Sequence, residues 1–570
     1  MWFLLQSTLS TKQITMLGKR TVLSCVKNTR LSSFRAFQHS NRHIVVTKRS
    51  FQSSGDAGAA GFKKFNARKA SVFAGGASVL GGLSLLWADD SDGITVDEVK
   101  LHNNIDDCWI VLNGDVYDIT EFIKIHPGGA ARLMEVAGKD ATEKFHMIHS
   151  DEVLEKMKEY ITLVGKLKGE FSNEVSEEEL RIQEFRAKMP PLSAIFNGSD
   201  FEHVAKKVLS PSTYFYYATG ASDEFTLREN HYAYGRVFFR PKALQDVADQ
   251  PDVSTEFLGA KVDLPIYITA FAGSKLCDPL GEMNLQAASY DANVLHMVPK
   301  QNSYSFDDFF GVVPDDQNHW FQYHFDDQEE LEGFGELVKK AEQQPSIKGI
   351  FLNVDLTDIG NREKDTRQRA QSAENPDLNA IIDNKYGHYA KLRWSHIEEL
   401  IKSTHLPIAL KGVQRGEDVV LAAEKGVKAV VLSNHGGRQL DFSRPPLEVL
   451  VEARQMLKEK NLQDDIEIYV DGGIRRGSDV IKAICLGAKG VGIGRPFLYA
   501  MAGYGEDGVA RYIEILRGEI ENNMRLLGVD KISDLNEDLV DASSLKLRGA
   551  RTNDALYDQA YQPLEPFAFK

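Results

Sequence analysis

Residues 466–495 read IEIYVDGGIRRGSDVIKAICLGAKGVGIGR. A β-prone run, Ile466 to Asp471, stops at a glycine pair. A stretch of helical length follows, and a second β-prone run, Gly490 to Gly494, stops at Gly-Arg. Strand, turn, helix, strand is the repeating unit of a parallel sheet. The glycines let backbone N–H groups approach an anion, and Arg475 and Arg495 supply positive charge at the same two strand ends. Such an arrangement predicts a phosphate-bearing cofactor.

Working outward, further β-rich runs alternate with helix-period stretches at Pro265–Ala270, Val294–Val298, Trp320–His324, Gly349–Asp355, Pro407–Lys411 and Ala429–Ser433. With the first two they make eight βα units, which predicts an α/β protein built on a (β/α)8 TIM barrel in 192–570 with a C-terminal tail. A doubly wound sheet is the alternative, but no GxGxxG turn follows an early strand. In a barrel the strand ends share one mouth. Gln322, His324, Asn353, Asp355, Lys411, Ser433, Asn434, His435, Asp471, Gly472, Gly473, Gly494 and Arg495 therefore converge there.

Composition agrees with a globular chain: 570 residues, 42% hydrophobic and 26% charged, with net charge −15. This excludes collagen-like, wholly disordered and multispan membrane classes. The charge is uneven, since residues 1–69 hold 13 Lys and Arg against the single acid Asp56. The acidic remainder is unsuited to nucleic acid and suited to a basic protein partner. Four cysteines without a CxxC give neither a disulfide framework nor a zinc site.

Residues 1–88 have the composition of a mitochondrial presequence. No acid occurs before Asp56, and an uncharged segment, 70–88, is just long enough to cross a bilayer. The expectation is a two-part signal, cleaved to leave a soluble protein in the mitochondrial intermembrane space and touching the membrane only in transit. A retained single-span anchor is the alternative.

Residues 92–168 are expected to form a small α+β domain. Alternating apolar residues flank Asn113-Gly114 in CWIVLNGDVYDITEFIKIHPGG (108–129), as in a strand, turn and strand, followed by a short helix and a glycine-rich bend. His126 lies on that bend and His149 follows 23 residues later between helical patterns. Two such histidines beside apolar helices fit axial ligands holding iron from opposite faces, with His146 as a competing second ligand. Residues 169–191, with Glu177 to Glu179 and Pro190-Pro191, are a polar linker tethering this domain.

The 108–129 pattern resembles the cytochrome b5 family, which implies a b-type haem with six-coordinate iron ligated by His126 and His149. The runs YYATGASDEFTLREN (216–230), SNHGGRQLDFSRPP (433–446), YVDGGIRRGSDV (469–480) and LGAKGVGIGRPFLYA (486–500) resemble the FMN-dependent 2-hydroxy-acid dehydrogenases and oxidases. The two resemblances together imply an enzyme. L-lactate or a related L-2-hydroxy acid would reduce FMN, and electrons would pass through haem to a basic acceptor such as cytochrome c. A homotetramer is also implied. Competing readings are an oxidase that uses dioxygen and a diverged paralogue that binds haem and FMN without turnover.

That resemblance implies roles residue by residue. His435 is the base, Asp355 holds its imidazole, and Arg438 clamps the substrate carboxylate with Tyr216 and Arg362. Lys411 sits at the flavin edge where negative charge grows. Thr269, Ala270, Gln322, Asn353 and Ser433 contact FMN, while Asp471, Gly473, Arg475, Gly494 and Arg495 hold its ribityl and phosphate groups.

Several positions depart from the family pattern. His324 stands where a tyrosine bonds the substrate hydroxyl, and Asn353 replaces a threonine. Phe271 and Pro299 occupy small or hydroxyl positions, with Ser303 or Ser305 as stand-ins. These departures imply an altered rate or substrate preference. The polar run between Lys364 and Trp394 is long for a barrel loop, as in a lid or surface filler.

Overall fold

The computed structural model describes residues 93–547 except 125, 127–129, 150–152, 155–156, 172–175 and 373–390. The presequence, its apolar segment, most of the 364–394 run and the tail after 547 lie outside the described residues.

Eight parallel strands close into a barrel: β1 (Ile266–Ile268), β2 (Leu295–Pro299), β3 (His319–Tyr323), β4 (Ile347–Asn353), β5 (Ile408–Val413), β6 (Ala429–Leu432), β7 (Glu467–Asp471) and β8 (Gly490–Ile493). All eight expected strands are present, displaced by no more than three residues at either end.

Alternation along each strand divides the side chains into two cores, because successive residues point to opposite faces. One set packs outward against the helices, including Ile266, Phe321, Ile350, Leu410, Val430 and Ile468. The other fills the barrel axis with Tyr267, Met297, Trp320, Phe351, Val431 and Tyr469. A hairpin, Thr255–Phe257 with Ala260–Val262, inserts the fully buried Phe257 into this inner cluster. On β8 the inward positions are glycine. A Cβ at Gly490 would lie 2.3 Å from Phe257, and one at Gly492 2.5 Å from Tyr267.

The same parity, carried to the carboxyl ends, turns Thr269, Gln322, Asn353, Lys411, Ser433, Asp471 and Gly494 onto the axis above this aromatic floor.

The N-terminal domain has a five-stranded sheet in the order Ile94–Thr95, Thr162–Lys168, Asp115–Asp118, Asp107–Leu112, Asn103–Asn104. Its central hairpin turns on Asn113 (φ 54°) and Gly114 (φ 83°), as a two-residue loop with both positions left-handed requires. Cys108, Ile110, Leu112, Ile119, Ile123 and Val136 form its core.

The helix Thr142–Ile148 of this domain packs near Ser274–Leu276, the turn after β1. Ser212 Oγ lies 3.5 Å from Glu135 Oε1. The linker contains a helix, Glu177–Ala187, closed at its start by the Ser176/Glu179 capping box. Arg181 of that helix donates to the carbonyls of Lys207 and Leu209, so the linker is seated on the barrel domain.

Candidate active site

His435 follows β6 in a tight turn and has φ +59°, as do Gly436 (64°) and Gly437 (78°) with positive values. A left-handed non-glycine residue costs on the order of 1–3 kcal/mol and persists where its surroundings over-determine it. Here Ser433 Oγ accepts the His435 N–H at 3.0 Å, and Asn434 Oδ1 accepts the Gly437 N–H at 2.9 Å. Asn434 is itself fixed by reciprocal 2.7 Å bonds with Asn230. The turn aims an imidazole that is 25% exposed at the barrel mouth.

Asp355, two residues beyond β4, places Oδ2 at 3.1 Å from His435 Nδ1. Burial pushes the Asp355 carboxyl up, but His435, Lys411 and the hydrogen bond outweigh it, so Asp355 lies below the usual carboxylate range. His435 is pushed down to about 4, first by burial and then by Lys411, with Asp355 opposing and Arg362 adding to the fall. At neutral pH the ring is therefore uncharged. Its Nδ1 proton is directed at Asp355, and Nε2 is left as a proton acceptor.

Beside this couple stands a cluster of arginines. Arg438 donates through Nη1 to the carbonyls of Tyr216 (2.7 Å), Thr219 (3.1 Å) and Tyr217 (3.2 Å), and its guanidinium lies 5.6 Å from the centre of the Tyr216 ring. Burial, then Arg362 and Arg495, push Arg438 down to about 9. Among the described residues neither Arg438 nor Arg362 is ion-paired with a carboxylate, and the buried Nε of Arg362 lacks a protein partner. Two half-buried cations without a carboxylate partner call for an anion.

On the axis, Lys411 Nζ lies 4.0 Å from Asp471 Oδ2, both buried. Burial holds the Asp471 carboxyl above its ordinary value against the pull of Lys411. The buried Thr269 Oγ1, Gln322 Nε2 and Asn353 Oδ1 find no hydrogen-bond partner in the protein. Donors and acceptors stranded on three strand ends around a lysine fit a flat, polyfunctional ligand such as an isoalloxazine, because buried polar atoms are ordinarily satisfied.

The phosphate end differs from the simple expectation. Arg475 is ion-paired to the buried Glu202 at 2.5 Å. Arg495 donates to the carbonyls of Tyr217 (2.8 Å), Gly436 (3.0 Å) and Thr219 (3.0 Å). Gly473 accommodates Asn230, whose carbonyl oxygen would lie 2.2 Å from an added Cβ, and a Cβ at Gly494 would lie 2.9 Å from Thr269. Ala270 packs against the inner aromatic cluster, and Pro299 is buried. The half-buried Phe271 packs against the outer core.

In the N-terminal domain the rings of His126 and His149 lie with centroids 6.2 Å apart and planes inclined at 79°. Two imidazoles bound to one ion from opposite sides, with metal–nitrogen bonds of about 2 Å, have ring centres about 6 Å apart. The residues present therefore fit a haem iron. Burial, followed by His126, pushes His149 down to about 4, the unprotonated state a ligand needs. His146 Nε2 lies 3.0 Å from Asn113 Oδ1, which gives that ring a different partner.

Sequence reasoning missed Asn230, Glu202, Lys300 and Asp326. Asp326 is two residues beyond His324, a spacing that could have found it. Asn230 and Glu202 come from helices before the barrel; Asn230 closes the run 216–230 that carries the family resemblance, which could have found it, whereas nothing in the local sequence marks Glu202.

The FMN-dependent dehydrogenase family profile matches residues 205–542, and the cytochrome b5-like haem/steroid binding domain profile matches 95–168. The chain is 45% identical over 504 residues to the L-lactate dehydrogenase (cytochrome) of Wickerhamomyces anomalus, covering 85% of this chain and 86% of that protein. It is 43% identical over 495 residues to the protein so named in Saccharomyces cerevisiae, covering 82% and 83%. Among solved structures it is similar to the flavin-binding domain of baker's yeast flavocytochrome b2. That match has TM-score 0.62 and 45% identity, over 70% of this chain and 99% of the other. A soluble mutant of (S)-mandelate dehydrogenase from Pseudomonas putida matches with TM-score 0.55 and 27% identity, over 61% and 99%.

Proposed function

The chain belongs to the FMN-dependent dehydrogenase family and carries a cytochrome b5-like domain on the same polypeptide, and from that premise we propose that it oxidises L-lactate to the 2-oxo acid and delivers the electrons through haem to a cytochrome. The observation that carries this reading is the couple of His435 with the buried Asp355 carboxylate beside two arginines that, among the described residues, have no carboxylate partner. A base and an anion clamp are what a 2-hydroxy acid requires.

When bound, FMN supplies a two-electron acceptor and haem a one-electron carrier. Lys411, Gln322, Thr269, Asn353 and Ser433 would hold the flavin ring, and Asp471, Gly473 and Gly494 would border its ribityl chain. Arg475 and Arg495 lie at the phosphate end, where the charge of Arg475 is shared with Glu202. His126 and His149 would hold the haem.

Arg438 and Arg362 bind the substrate carboxylate, and Tyr216 lines the Arg438 side of the site. That anchoring sets which face of C2, and so which enantiomer, presents its one hydrogen to the base. Neutral His435 accepts a substrate proton at Nε2, and the Asp355 carboxylate stabilises the cation so formed. Removing the Cα proton and removing the hydroxyl proton are both open to the same geometry.

The acceptor is proposed to be cytochrome c, a basic protein matched to the acidic body of this chain. The acid-free, basic residues 1–55 support delivery to the mitochondrial intermembrane space. A homotetramer is proposed from family likeness. Anaerobic mixing of the holoenzyme with L-lactate tests the reading: the flavin band bleaches and haem reduction follows. Failure of both bands to change would refute it.

A further inference from the structure

A second imidazole–carboxylate couple stands at the barrel mouth, on a wall separated from His435 by two strands. His324 follows β3 on the parity of Trp320 and Gln322, so its side chain shares the axial face, and it is 9% exposed. Its Nε2 lies 3.3 Å from Asp326 Oδ1.

Asp326 is fixed in turn. Its Oδ2 accepts from Lys300 Nζ at 2.7 Å, and its backbone N–H donates to Glu330 Oε2 at 2.9 Å. Lys300 also meets Glu330 at 2.6 Å and donates to the carbonyl of His324 at 3.1 Å. The ammonium is thus shared between two carboxylates, and the couple is held from the ends of both β2 and β3. Asp355 and Lys411 border the mouth on the intervening strands, with His435, Arg362 and Arg438 beyond them.

A carboxylate at one ring nitrogen decides which tautomer a neutral imidazole adopts. Asp355 binds Nδ1 of His435 and so exposes Nε2 as the acceptor, whereas Asp326 binds Nε2 of His324 and makes Nδ1 the basic nitrogen. Oxidising a 2-hydroxy acid breaks a Cα–H and an O–H bond. The mouth contains a carboxylate-backed imidazole for each.

We propose that His324 accepts the hydroxyl proton of the substrate while Asp326 acts as its positioning residue. In this step the O–H bond breaks, the proton moves to His324 Nδ1, and the oxygen electron pair forms the C=O bond. The two electrons of the Cα–H bond pass to the bound flavin oxidant, and the Cα hydrogen leaves either as a proton to His435 or with those electrons as hydride. The proposal rests on the 2-hydroxy-acid reading above. It goes beyond that reading by giving the chain a second proton acceptor and a role for Asp326, Lys300 and Glu330.

If the network only caps the helix Gln328–Glu342, its loss lowers stability and leaves protons uncounted. The distinguishing experiment is calorimetric titration of the oxidised holoenzyme with pyruvate, in two buffers of different ionisation enthalpy. Pyruvate binding is expected to take up a proton in the wild type and in His435→Gln. The uptake should vanish in His324→Gln and diminish in Asp326→Asn, with retained FMN and an unchanged far-ultraviolet circular dichroism spectrum reporting an intact barrel. Should His324→Gln fail to fold, His324→Tyr carries the same test, since a phenol does not take a proton at neutral pH.

With L-lactate, flavin reduction should slow about 100-fold in His324→Gln and about 10-fold in Asp326→Asn, with KM within about twofold. Proton uptake unchanged in His324→Gln, wild-type pyruvate titration without proton uptake, or turnover within twofold in both variants would overturn the proposal. If the wild type shows His324-dependent uptake while L-lactate fails to bleach its flavin, the substrate reading fails and the second couple stands.

Discussion

Asp355 Oδ2 lies 3.1 Å from His435 Nδ1 because residue 412 on the neighbouring strand is glycine, with φ +102°, and a Cβ there would fall 2.5 Å from the Asp355 carboxyl carbon. The couple depends on a missing methyl group on β5. Replacing Asp355 by Asn keeps the shape but removes the charge that favours a protonated ring. Flavin reduction by L-lactate in stopped flow should fall about 10²–10⁴-fold. In His324→Gln, where His435 is the remaining imidazole acceptor and is held near 4, kcat/KM should stay level from pH 8 to pH 5 and fall as the pH drops through about 4. Adding Asp355→Asn to that variant should move the acid limb to lower pH, since Asp355 is the group raising the His435 value.

Arg438 spends one terminal nitrogen on three backbone carbonyls, which orients its fork without neutralising it. Lysine cannot bind those carbonyls and a carboxylate in the same way. Arg438→Lys should therefore raise KM for L-lactate and weaken oxalate binding by about 10–100-fold, measured by steady-state kinetics and by titration of the flavin spectrum.

The His126–His149 pair, 6.2 Å apart, and the engagement of His146 by Asn113 make opposite predictions for neighbouring histidines. His149→Ala should lose haem on purification, read by the Soret band and by iron content. His146→Gln should retain it and lose only about 0.5–1.5 kcal/mol of domain stability.

His296 and His319 are paired in register across β2 and β3 on the outer face, with ring centroids 5.7 Å apart and both rings buried. Burial pushes His296 down to about 3. Burial, His296 and Lys348 push His319 well below its ordinary 6.5. The folded protein therefore binds fewer protons here than the unfolded chain, and the stability present above pH 6.5 is lost as pH falls toward the folded values. Between pH 6.5 and 5 each histidine should remove about 2 kcal/mol. Urea unfolding at pH 7 and pH 5 should show this loss, and the double variant His296→Leu, His319→Leu should be much less sensitive.

The barrel was readable because its signals are local. Each strand run is short and β-rich, most end in glycine or a polar residue, and a helix-length stretch separates each from the next. Parity then turned a list of strand ends into one mouth with no contact information. The partners of those residues were unreadable for the opposite reason. Glu202 meets Arg475 across 273 positions and Asn230 meets Asn434 across 204, and no periodicity links them. The commitment of Arg495 to three carbonyls was hidden for the same reason, since carbonyls carry no sequence signature. The linker helix had its capping box in plain view at Ser176 and Glu179, but its seat on the barrel depends on Arg181 finding carbonyls in a later helix.

β8 is the strand that gives up its side chains, and it thereby sets the height of everything above it. With glycine at 490 and 492, the rings of Phe257 and Tyr267 press against bare backbone. Tyr267 in turn meets Trp320 at 5.0 Å, and Trp320 meets Tyr469 at 4.8 Å and Phe351 at 4.3 Å. Gln322, Asp471 and Asn353 each stand one inward step above a member of that stack. A single methyl added at Gly492 would displace Tyr267 and tilt the platform beneath three groups it never touches. Catalytic alignment in this barrel is thus inherited from its base, through the strand that supplies the fewest atoms.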